Sequence, residues 1–160
     1  MIAVPTVDEM LMLTDDQIDY PSLDADLVAQ LATQRTEAFI ATSALQELAR
    51  RDRAATSRTA EQILDGEIWD SRLTAYALEI VFSQDPDRGM EHMKRLLDGE
   101  LEQPILDTMV ENVTYERERF RAGSGRPILR ALVHKLRDVP SDAFDNPAWA
   151  AEVIALDAAP

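Results

Sequence analysis

The stretch ILDGEIWDSRLTAYALEIV (residues 63–81) is answered 33 positions later by LLDGELEQPILDTMVENV (residues 96–113). Both begin with two apolar residues and Asp-Gly-Glu, then place apolar residues at the same spacing. Leu73 matches Leu106, Tyr76 matches Met109, Ala77 matches Val110 and Ile80 matches Val113. The same offset lays Ala60, Ile63 and Leu64 on Met93, Leu96 and Leu97, and it brings Ala44, Leu45 and Leu48 onto Ala77, Leu78 and Val81. Steps of three and four are the apolar stripe of a helix. Gly66 and Gly99 stand just past the shorter stripe, the usual place for glycine. The predicted unit is a longer helix, a turn and a shorter helix. Neither helix of such a unit can bury its face alone, so units must stack into one core.

Outward from this repeat the spacing stays helical. Leu23, Leu27 and Leu31 form a stripe behind Ser22 and Asp24, either of which can cap it. Phe39, Ile40, Leu45 and Leu48 mark another, and Ile128, Leu129, Leu132, Val133 and Leu136 one behind Pro127. Trp149, Val153, Ile154 and Leu156 form the last, with Asn146 as cap and Pro147 in the first turn. Thr6 and Glu9 have the spacing of a capping box. No segment alternates like a strand for long, so the predicted class is all-α.

The 160 residues suit a single domain, 1–160, and 46% are apolar; a chain of this size buries roughly 70% of its unfolded surface. No apolar run is long enough for a transmembrane helix. Residues 1–21 are an acidic segment without Lys or Arg, the reverse of a basic signal-peptide start, so a cytoplasmic location is expected. The absence of cysteine excludes disulfides, thiolate nucleophiles and thiolate metal sites. The formal net charge of −14 disfavours generic binding to nucleic acid or anionic membrane and favours a basic partner, or simply solubility. The charge is uneven: residues 1–34 hold seven acids and no Lys or Arg, whereas residues 116–137 hold seven Lys/Arg against Glu116 and Glu118.

The segment Trp69-Asp70-Ser71-Arg72-Leu73-Thr74-Ala75-Tyr76-Ala77-Leu78 resembles the Asp-x-Arg-x-x-Ala-x-x-Leu core of HEAT-like repeats. In the next unit Gln103 and Ile105 stand where Asp and Arg would be. The resemblance implies a small α-solenoid, a right-handed α-α superhelix of three to four helical hairpins, with protein or nucleic acid bound on a concave face. It implies no chemistry of its own.

Sorted by predicted helix, the charges separate. The long helices (37–49, 67–82 and 100–115) carry Glu37, Glu47, Glu67, Asp70, Glu79, Glu100, Glu102, Asp107 and Glu111 against Arg72. The short helices (54–64, 88–97 and 126–137) carry Arg58, Arg88, Lys94, Arg95, Arg126, Arg130, Lys135 and Arg137 against Glu61 and Glu91. The acidic layer, with Trp69 beside it as a partner anchor or as core, is the expected surface for a basic protein. The basic layer, with a flexible loop at 122–127, is the alternative surface for phosphate or nucleic acid; the plainer reading is pairing between layers and complementation of helix dipoles.

Enzyme patterns are thin. His92 and His134 lie far apart and outside metal-ligand spacing, and no nucleophile elbow, phosphate loop or dinucleotide fingerprint occurs. No catalytic residue, metal or cofactor is expected. The expected function is an acidic adaptor or inhibitor of a basic protein, a profile shared at the level of class with immunity proteins that neutralise bacterial toxins. The alternative is a nucleic-acid- or phosphate-binding helical repeat.

Overall fold

The computed structural model describes residues 3–160, and among them there are ten α-helices and no strand. The chain forms two compact units, Met1–Ile80 and Val81–Pro160.

The first unit contains α1 (Val7–Leu11), α2 (Ala25–Ala32), α3 (Ala38–Arg51), α4 (Arg53–Asp65) and most of α5 (Ser71–Gln84). Two 3₁₀ turns, Asp15–Gln17 and Tyr20–Ser22, lie between α1 and α2. The capping box forms: Thr6 Oγ1 accepts from Glu9 N, and Glu9 Oε2 accepts from Thr6 N at 2.8 Å. Of the two cap residues the sequence offered α2, Asp24 takes the role, accepting from Leu27 N at 2.8 Å. Leu27, Val28 and Leu31 of α2 are buried, as are Ile40, Leu45 and Leu48 of α3. These two helices form the principal packing pair of the unit, and α4 packs on both.

A single residue, Asp52, separates α3 from α4. Its backbone is extended (φ −146°, ψ 102°), and its carboxylate accepts from Ala55 N. The second unit repeats the device. Asp85 (φ −145°, ψ 90°) separates α5 from α6 (Pro86–Leu96), and its carboxylate accepts from Arg88 N. The backbone bonds match as well, Asp52 N to Leu48 O at 2.9 Å and Asp85 N to Val81 O at 2.8 Å. Asp52 and Asp85 stand at the offset of the repeat, so the likeness includes the break inside each helical pair. Most of the paired apolar positions share burial: Ala60, Ile63, Leu64, Met93, Leu96 and Leu97 are all core, as are Leu73 and Leu106, whereas Tyr76 is half-buried where Met109 is fully buried.

The rest of the second unit comprises α7 (Gln103–Tyr115), α8 (Arg117–Arg121), α9 (Gly125–Leu136) and α10 (Pro147–Ala158). The stretch expected as a loop at 122–127 is a connection in its first half only. Its last three residues are the first turn of α9, and only 122–124 connect. Gly123 is the one described glycine with positive φ, 59°. Gly125 has another reason to be glycine: a Cβ there would lie 1.9 Å from the Arg119 carbonyl oxygen. Phe120 of α8 is fully buried and stacks on Phe82 at 6.1 Å. Helix α10, capped by Asn146 as expected, packs on α7 and α9.

Candidate functional site

Four of the six acidic candidates lie outside the long helices. Glu67, Trp69 and Asp70 were expected inside a helix over 67–82, but they lie in the connection between α4 and α5, and α5 begins only at Ser71. Asp70 is the reason: its carboxylate accepts from Leu73 N at 2.8 Å and starts the helix there. Trp69 is half-buried and Ile68 beside it is exposed. Glu79 is exposed on α5.

In the second unit Glu100 and Glu102 likewise precede α7 rather than sit within it, because Pro104 places its ring in the first turn. Glu111 is half-buried on α7. Glu67 and Glu100, at equivalent places after Asp-Gly, are both exposed, and neither has an ion pair among the described residues.

Two acids of the expected layer are structural. Glu47 is buried; Arg51 donates to it at 2.6 Å and Arg50 also rests on it. The Arg51 hydrogen bond holds its carboxyl below the usual range, against the opposing effect of burial. Arg51 further donates to the Leu23 carbonyl at 2.6 Å and to that of Tyr20, tying α3 to the segment before α2. Asp107 is half-buried and accepts from Gln103 Nε2 and Asp145 N, each at 3.2 Å. Burial pushes its carboxyl up. A carboxyl raised in the folded state contributes stability at low pH that is lost as pH rises through the folded value. Asp107→Asn, which keeps an acceptor without charge, is therefore expected to be stabilising at pH 7 by about 0.5 kcal/mol. Thermal melts across pH check this, and the gain over the native chain should vanish below about pH 4.

The basic candidates are mostly engaged within the second unit. Arg88 pairs with Glu91 at 2.6 Å and Arg95 touches the ring of His92 at 3.2 Å. Arg126 donates to the Asp157 and Ala159 carbonyls at 2.9 and 3.2 Å, closing the C-terminal end of α10. Arg130 lies 3.9 Å from the Asp157 carboxylate. The cations of 117–121 also pair internally: Arg117 with Glu152, Arg119 with Asp87 and Glu116, Arg121 with Glu118. Lys94 and Arg137 of this unit, and Arg58 of the first, are exposed and have no ion pair among the described residues.

One site escaped sequence reasoning. In the first unit an open groove of about 690 Å³ runs between the 3₁₀ turns and α3. Asp15, Asp16, Tyr20, Ser43, Glu47 and Tyr76 are among its lining residues. Asp15 accepts from the Tyr20 hydroxyl at 2.6 Å on one oxygen and from Ser43 Oγ at 3.1 Å on the other. Burial, with the Asp15 carboxylate next in importance, pushes the Tyr20 hydroxyl well up, so it stays a donor at neutral pH. Burial also raises Tyr76, helped by the charge of Glu79. The available signal was the run of acids without cations in residues 8–26.

No protein-family model, curated protein or solved structure matches this chain. No described helix is long and apolar enough to cross a membrane.

Proposed function

We propose that this chain is a non-catalytic, HEAT-like helical-repeat module that binds a basic partner protein through its acidic connections, as an adaptor or an immunity-like inhibitor. The observation that carries the reading is an asymmetry of pairing. Glu67 and Glu100 project from equivalent connections and neither forms an ion pair among the described residues, Lys135 beside Glu100 being spent on the Gly99 carbonyl, whereas most of the arginines in the second unit are held by its own carboxylates and carbonyls. An unpaired exposed charge keeps its full interaction for a partner, and such charges raise association rate and select the partner's sign. The net charge of −14 acts in the same direction. The internal pairs weigh against the anion-binding alternative, which needs free cations for a series of phosphates.

The test is retention on the immobilised chain from lysate of the source cells, eluted in salt steps and repeated with Glu67→Lys and Glu100→Lys, singly and together. A basic protein held by the native chain should bind the double variant at least about tenfold more weakly at low salt. The difference should shrink as the Debye length falls. Unchanged affinity and salt dependence in the double variant would discard the reading, and so would nucleic acid as the eluted ligand.

A further inference from the structure

The groove of the first unit combines features that together define a ligand. Its volume, about 690 Å³, falls in the range of clefts that hold a ligand or an anchoring side chain. Asp15 stands half-buried on its wall with two neutral hydroxyl donors and no ion pair among the described residues, and Arg50, the one cation among the lining residues, is held by Glu47. Exposed Asp16 adds a second carboxylate. Tyr20 and Tyr76 contribute ring surface, and the Tyr76 hydroxyl has no hydrogen-bond partner among the described residues. The same wall already holds guanidinium: Arg50 and Arg51 both rest on Glu47, which is only 5% exposed.

The geometry points to a binding site for the side chain of an arginine presented by a basic partner protein, received between the Asp15 and Asp16 carboxylates and the tyrosine rings. This inference rests on the basic-partner reading above and supplies that reading with a pocket. Arginine fits better than lysine because its planar fork meets two carboxylate oxygens at once and stacks on aromatic faces, whereas an ammonium is compact and strongly hydrated. A half-buried carboxylate served only by hydroxyls has lost part of its hydration without gaining a counter-charge, and an entering cation restores that balance. Phosphate is repelled by the same carboxylates.

The experiment is an amide-resolved NMR titration of the full chain with Nα-acetyl-arginine amide and, separately, its lysine counterpart. Saturable shifts are expected at residues 15–20, 43–50 and 76, with the lysine compound at least about threefold weaker. Asp16→Asn and Tyr76→Phe are each expected to weaken arginine binding by about three- to tenfold. Both replace groups that reach solvent or lack an internal partner, and an unchanged circular dichroism spectrum confirms that they fold. Non-saturating shifts scattered over the acidic surface, or equal affinity in the two variants, would overturn the pocket. If the pocket fails while Glu67→Lys and Glu100→Lys still release a retained basic protein, the acidic connections stand without it. If arginine seats in the groove while those reversals release nothing, the connections are discarded instead.

Discussion

Phe120→Ala is expected to destabilise the chain by about 3–5 kcal/mol, the range for removing a buried aromatic ring. Phe120 has no exposed surface, and its ring lies nearly parallel to that of Phe82, with 12° between the planes. It is the only apolar side chain of the five-residue helix α8 that faces inward; the other four are charged. The helix is too short to hold itself. Loss of the ring therefore removes both the packing of the core and what anchors α8, so collapse of the neighbours cannot refill the space cheaply. Urea unfolding should show a lower midpoint with little change in slope. A loss below about 1 kcal/mol, the size of an ordinary surface change, would mean that the ring does not fill a closed core.

Gly125→Ala is expected to reach or exceed the top of the overpacking range, about 3 kcal/mol. An added Cβ would sit 1.9 Å from the Arg119 carbonyl oxygen and 2.9 Å from the Phe120 Cα. Both obstacles are backbone, so no side-chain rotation relieves them, and α8 must move away from the start of α9. Gly123→Ala is the informative control. There φ is 59° but nothing lies within 4 Å of the new Cβ. The cost should be only the left-handed backbone penalty, about 1–2 kcal/mol. Equal losses at the two positions would show that backbone conformation, not close approach, requires glycine in this connection.

The elements that were legible in the sequence are those decided within one or two turns of chain. Thr6 with Glu9, Asp24 and Asn146 before apolar stripes, and Pro147 in a first turn are local devices, and each helix begins where they place it. The recurrence of apolar positions 33 residues apart was legible for the same reason, since a buried stripe has to recur at helical spacing. Boundaries failed where a local competitor outweighed the stripe. Apolar periodicity extends α5 back through Trp69, yet Asp70 takes the cap and leaves Trp69 outside. The expected loop at 122–127 failed in the other direction, because glycine spacing reads as flexibility when here, at Gly125, it reflects contact with the Arg119 backbone.

The sequence by itself determined that the chain is helical, acidic and built on a phrase used twice, because periodicity, composition and caps act through near neighbours. Only the tertiary structure decided which charges are available. Arg126 and Arg130 are neighbours of α10 rather than of a ligand, and Glu47 is buried under two arginines rather than displayed. The groove was decided there too. Asp15, Ser43 and Tyr76 come from three separate segments, and the interactions that give a carboxylate or a phenol its chemistry fall off over a few ångströms of space, whatever their separation along the chain.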